Sequence, residues 1–254
     1  MKLLMENWRK YLEEAAVADE GGLGIFVEEH FPDIGHRSRG HFGLGEGLIM
    51  TLIDTDELQM LTTDDLYAED ILNIYKNAVK GYIEIGNQPE IKHGSNTPCY
   101  SEVEKQTWTV ERAAARSGYG PLLYDMALLA SKPHSPGLIA DRDEVSDSAS
   151  GIYGQWLRRG SGATGIKIEA RKLDNIEDPQ TPPKEDDCQV HQHRDPAVNF
   201  IFSTPSSDEP FRVLRKRADD MINGVVGDNP YGIKKQELVI GISKEGGALF
   251  DALY

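Results

Sequence analysis

Cysteine is scarce in this chain: Cys99 and Cys188 are the two among 254 residues. That is too few for a disulfide framework and suits a reducing compartment, with one bridge between the two left open. Long apolar runs are missing as well. No stretch approaches the ~20 residues that cross a bilayer, and the N-terminus lacks the apolar core of a secretory signal, so the expected location is cytoplasmic and no membrane partner is expected. Positive charge is in short supply, with 27 Lys and Arg against 42 Asp and Glu and a net charge of −15. Such a balance argues against general binding to nucleic acid or anionic lipid. What remains is 39% hydrophobic and 27% charged, the composition of a globular chain long enough for one large domain or two small ones.

The charge is uneven. From Lys105 to Lys172 there are ten Lys and Arg against seven Asp and Glu, a balance of +3, so the rest of the chain carries −18. Inside this basic stretch lies Arg116-Ser-Gly-Tyr-Gly-Pro-Leu-Leu-Tyr-Asp125. Gly118 and Gly120 let the backbone bend sharply and approach a ligand. Pro121 suits the start of a helix, where its missing N–H costs nothing, and Leu122–Ala130 is an apolar run. Upstream, Gln106–Val110 alternates as a strand. Strand, glycine turn and helix start together form a nest of N–H groups suited to phosphate. The structural alternative is an ordinary tight turn into a core helix, with the basic residues as solvated helix faces.

Along the chain, residues 1–16 read as a detachable amphipathic helix with Leu3, Leu4, Trp8 and Leu12 on one side, followed by a break at 19–22. Strands are expected at 48–53, 81–85, 106–110, 137–140, 165–172, 197–203 and 237–242. Helices are expected at 64–79, 121–131, 146–157 with Ser146 as cap, 210–223 and 246–254. Residues 25–31 are apolar and acidic, and 174–187 read as a long acidic loop. The alternation points to an α/β (α+β) fold with a central mixed sheet flanked by helices. Three parts are expected: an N-terminal helix or leader (1–20), the main domain (21–204), and a helix–strand–helix extension packed on it (205–254).

The order strand, glycine turn, helix, strand, Tyr-bearing helix, strand over residues 106–172 resembles the central half of a GNAT-type N-acetyltransferase. In that family a Q/R-x-x-G-x-G/A turn takes the pyrophosphate of acyl-coenzyme A on backbone amides, and a Tyr on the next helix sits near the thiol. The resemblance implies an acyl-CoA N-acyltransferase-like fold, acetyl-CoA as cofactor, and an unidentified amine as acceptor, either a small molecule or a basic protein. Arg116, Ser117, Gly118, Tyr119 and Gly120 match the cofactor turn, and Tyr153 matches the general acid. The turn departs from the family pattern in one respect: Ala115 stands where Gln or Arg is usual, with Arg116 one residue later. The mechanism implied is attack of an amine on the thioester, with Tyr153 protonating the leaving thiolate. The resemblance makes Glu84 the candidate base, because strands in this part of the family's fold line the acceptor cleft, and alternation puts it on the face opposite Ile83 and Ile85; its structural alternative is an exposed strand carboxylate. Tyr153 and Trp156, three apart on one helical face, have a core alternative too.

The same residues, with Asp141–Ser146 and Thr181–Cys188, also resemble acetyltransferase-like proteins of tailed phages. In that setting Leu12-Glu-Glu14 is similar to a maturation cut site, which implies a virion-internal or injected protein, with capsid proteins as partners, that keeps the fold without catalysis. Two rival chemistries have thinner support. Cys188, His191 and His193 beside Asp186 and Asp187 are soft and hard metal ligands, with His93 or Cys99 needed to complete a set, and no metal is expected. Cys99 with His191 or His193 has the elements of a thiol nucleophile, against the alternative of a buried Cys.

Overall fold

The computed structural model describes residues 22–30, 47–59, 77–87, 92–93, 97–98, 107–141, 145–173, 189 and 195–227. The N-terminal helix, the acidic stretch at 174–187, both cysteines and the elements expected after 227 lie outside them, as does most of the helix expected at 64–79.

Two long strands begin the sheet. β1 (Leu23–His30) and β2 (Gly47–Asp54) pair antiparallel over their full length, from Leu23 opposite Asp54 to His30 opposite Gly47. The short helix α1 (Thr55–Gln59) follows, then β3 (Val79–Asn87) antiparallel to β2. Leu48, Met50 and Leu52 turn to one face and Ile49, Thr51 and Ile53 to the other, and all six are buried. A strand covered on both sides reads as a continuous apolar run rather than as alternation. The described part of the acidic and apolar stretch, residues 25–30, belongs to β1: Ile25 and Val27 face the same core as Met50, which fixes the register. A two-residue ribbon, β4 (Lys92–His93) with β5 (Thr97–Pro98), stands apart.

β6 (Trp108–Ala115) pairs antiparallel with β3 and runs five residues beyond the expected strand end at Val110. Glu111–Ala115 has little strand propensity, and its conformation comes from pairing with Gly81–Glu84. After β6 come α2 (Gly120–Ser131), β7 (Leu138–Ile139), α3 (Asp147–Arg159), β8 (Glu169–Lys172), a 3₁₀ turn (Pro196–Asn199), β9 (Phe200–Ser203) and α4 (Glu209–Gly227). β8 starts later than expected because 162–166 forms a turn, with Gly162 N–H donating to Ile166 O at 2.8 Å and Gly165 at φ +82°.

The result is a mixed α+β architecture around a seven-stranded mixed sheet ordered β1-β2-β3-β6-β7-β9-β8. Every pairing is antiparallel except β6 with β7. The main core joins one sheet face (Ile25, Met50, Ile83, Ile85, Val110, Phe202) to α2 and α3. α2 is buried from Leu122 to Ser131, which is why its sequence is apolar all round. α4 packs on β1 and contributes Phe211 and Leu214 to this same core. Its Ala218 sits so close to Gly24 that a Cβ there would lie 2.8 Å from the Ala218 nitrogen. No helix among the described residues is long and apolar enough to cross a membrane.

Candidate functional site at the fork between two strands

The β6–β7 ladder has two rungs, Trp108 with Leu138 and Thr109 with Ile139. β6 then continues to Ala115 while β7 ends, so past Thr109 the β7-facing edge of β6 has no strand partner among the described residues. The sheet opens there into a fork. Ser135 holds its closed end: the Oγ accepts from Trp108 N–H at 2.9 Å and donates to Gly137 O at 2.6 Å. A register shift between Glu84 and Ile85 makes Glu111 the extra residue of a β-bulge, which bends β6 just where the fork begins.

The glycine turn lies at the carboxyl end of β6, at the mouth of this fork. Arg116 N–H donates to Lys80 O at 2.8 Å and ties the strand end to β3. Tyr119 N–H donates to Arg116 O at 3.1 Å across Ser117 and Gly118, and Gly118 has φ +93°, the third-position geometry of a type II turn that favours glycine. Leu123 N–H then donates to Tyr119 O, the first bond of α2. Tyr119 is the N-cap and makes no side-chain capping bond. The N–H groups of Gly120 and Leu122, in the first turn, have no intrahelical acceptor to reach. Gly120 differs from Gly118. A Cβ there would stand 3.7 Å from Ile152 Cδ1 and 4.0 Å from Ala115 Cβ, ordinary contact distances, so neither its backbone nor its neighbours require glycine. Arg116, Ser117, Gly118, Tyr119 and Gly120 thus share one turn.

Tyr153 lies on α3, which begins at Ser146, whose Oγ accepts from Ala149 N–H at 3.2 Å, and ends at Gly160 in the left-handed conformation. Its ring is 1% exposed. It stacks on Phe202 (5.3 Å between centroids) and meets Tyr124 and Trp156 edge-on at 5.5 and 5.6 Å. Burial, then the proximity of Tyr124, Asp141 and Asp195, hold its hydroxyl well above the usual phenol range, so it stays protonated. The core alternative for Tyr153 and Trp156 therefore describes their surroundings.

Glu84 faces away from Ile83 and Ile85, as alternation requires, but it is 4% exposed rather than solvated. Its cross-strand partner is Arg112, which is exposed. Both charges act on the buried Tyr82 hydroxyl, whose pKa is raised first by burial, with Arg112 lowering and Glu84 raising it. Glu84 and Tyr153 consequently lie on opposite faces of the sheet.

Asp125 is a buried carboxylate that the sequence reading passed over. It sits on fully buried α2 and its carboxylate accepts from Thr164 N–H (2.7 Å), Thr164 Oγ1–H (2.8 Å) and Trp156 Nε1–H (3.3 Å). Desolvation pushes its pKa up to about 6 against the lowering effect of those bonds. The signal available was one charged residue inside an otherwise apolar run. Among the described residues no group of three or more His, Cys, Asp or Glu is placed to hold a metal, and Cys188, His191, His193 and Cys99 lie outside them. In comparisons with known proteins, no family model, no curated protein and no solved structure matches this chain.

Proposed function

We propose that this chain is an N-acyltransferase of the GNAT architecture, moving an acetyl group from acetyl-coenzyme A to an amine. The observation that carries the reading is the fork: one parallel strand pair in an otherwise antiparallel sheet, separating after two rungs, with a glycine turn and helix N-terminus at its mouth. Ligands of open sheets bind beyond the carboxyl ends of strands where the chain changes direction across the sheet. There the N–H groups of the turn and first helical turn favour a pyrophosphate, and the β7-facing edge of β6 past Thr109, which has no strand partner among the described residues, lies where an extended amide-bearing arm would run. Gly120 supports the same reading, since its missing side chain leaves room that the protein's own packing does not use.

In the reaction this reading implies, Glu84 would take the proton that the amine nitrogen sheds as it bonds to the thioester carbonyl carbon, and Tyr153 would donate a hydrogen bond and then a proton to the sulfur as the carbon–sulfur bond breaks, leaving an amide and a free thiol. The two groups work from opposite faces, which suits a reaction run through the fork. The burial of Tyr153 favours a second reading, a chain that keeps the fold without the chemistry.

Calorimetric titration of acetyl-CoA into the wild type and a Gly120→Glu variant tests the proposal. A carboxylate in the first turn is favourable to the helix and the site has room for it, so the variant is expected to melt within a degree or two of the wild type. Loss of charge-assisted bonds and repulsion of phosphate should weaken binding roughly 10- to 100-fold, the equivalent of about 1.5–3 kcal/mol. Wild type that takes up no acetyl-CoA, or a variant that binds equally well, overturns it.

A further inference from the structure

β8 is the last strand of the sheet, and its outer side has no strand partner among the described residues. Antiparallel pairing alternates residues whose backbone groups face the partner strand with residues whose groups face away. Leu173 N–H donates to Asn199 O at 2.9 Å, so Arg171 and Glu169, at the same phase, also turn their backbone groups to β9. The N–H and C=O of Ala170 and Lys172 therefore point outward from the sheet. Just before them the chain covers this side itself: Ile168 N–H donates to Gly160 O at 2.8 Å, and Ser161 bridges Lys167. That covering segment comes straight from the end of α3 at Gly160, so it reaches no further along the strand. The edge is open from Ala170 to Lys172, and all four β8 side chains are exposed, on both faces.

We infer that the open edge of β8 is a docking site for an extended acidic peptide, which adds to the sheet as a further strand. Outward N–H and C=O groups at strand spacing are matched by another polypeptide and by no nucleic acid or lipid. Charge then selects among peptides. Residues 158–172 hold five Lys and Arg against one Glu, in a chain whose net charge is −15. The one carboxylate, Glu169, is already offset by Lys167 Nζ at 2.7 Å. Arg158 and Arg159 close α3 where the covering segment begins, and Arg171 and Lys172 lie on the open stretch itself. Charges more than about 10 Å away are largely screened at physiological salt, so these local cations outweigh the acidic remainder of the chain. Cationic side chains on an edge also oppose pairing with a second edge of the same kind, which favours an acidic partner over another copy of this chain. None of this depends on the acyl-transfer reading.

The test uses the full-length protein and two fluorescent, end-blocked peptides of about seven residues, one alternating Glu with Val and the other Lys with Val, read by anisotropy. The Glu peptide is expected to bind at least ~10-fold more tightly than the Lys peptide, and to weaken as salt is raised. Lys172→Glu, at an exposed position, should remove most of that preference. Ala170→Pro deletes one outward N–H and leaves the β9 ladder alone, which an edge strand tolerates, so it should abolish binding with the circular dichroism unchanged. Hydrogen exchange on the wild type separates strand addition from loose charge attraction without any variant. The amides of Ala170 and Lys172 should exchange fast in the free protein, unlike those of Glu169 and Arg171, and become protected when the Glu peptide is added. The inference is overturned if the Glu peptide does not bind, if the Lys peptide binds as well, or if the Ala170 and Lys172 amides exchange alike with and without peptide. Protection of these two amides in the free protein, together with a dimer by sedimentation, would give the edge to a second copy and overturn it too.

Discussion

Asp125 shows how one side chain can bind two elements and stay poorly solvated. It joins α2 to α3 through Trp156 and to the turn before β8 through Thr164. Gly162 is pressed against it so closely that a Cβ there would come within 2.5 Å of the carboxylate carbon. A carboxyl group whose pKa is about 6 in the folded chain and about 3.9 unfolded binds its proton more tightly when folded. Its contribution to stability is therefore greatest below pH 4 and is lost as pH rises through 6, a change of about 3 kcal/mol. Asp125→Asn removes the titration. The stability of wild type relative to this variant, measured by urea unfolding, is expected to fall by about 2 kcal/mol between pH 4 and pH 7. A difference that stays flat across this range would show that Asp125 titrates normally. The lone Asp in an apolar helix was visible in the sequence. Its partners were not, because they come from a turn and a helix brought together by the chain's return.

Elements built on local chemistry were legible, and those built on pairing were not. α3 begins at Ser146, an expected cap, and ends at Gly160 with φ +63°. Asp147 in its first turn and Arg158 and Arg159 in its last match the helix dipole. Ser146→Ala is expected to cost about 1 kcal/mol, read as a lower urea midpoint with an unchanged slope; no change would mean that packing alone holds the helix start. The glycine turn was equally readable, since φ +93° at Gly118 follows from its place in the turn. β6 was read only to Val110. Its remainder, Glu-Arg-Ala-Ala-Ala, takes a strand form because β3 lies beside it, and no residue in that stretch announces the bulge at Glu111.

At the scale of the molecule, α4 decides whether the chain after Ser203 is an appendage. Its Phe211 and Leu214 enter the main core, and Lys132 Nζ donates to Ser206 O at 2.9 Å at the approach to it. Leu214→Ala should therefore cost about 2–5 kcal/mol, and tryptophan fluorescence and far-ultraviolet circular dichroism should report one shifted transition. If the fluorescence midpoint stays put while only part of the helical signal melts early, α4 unfolds by itself.

The sequence by itself determined a globular α and β chain, the glycine turn leading from a strand into a buried helix, the capped Tyr153 helix, and the opposite facing of Glu84 and Ile83. Each follows from steric limits at single residues, capping bonds or strand alternation, which act within a few positions. Only the tertiary structure decided that β6 and β7 part after two rungs, that Tyr153 is enclosed by aromatic rings, and that Glu84 is buried opposite Arg112 near Thr109, whose hydroxyl has no hydrogen-bond partner among the described residues. Those facts depend on which distant strands lie side by side, and burial and pairing are properties of that arrangement rather than of any one stretch of chain.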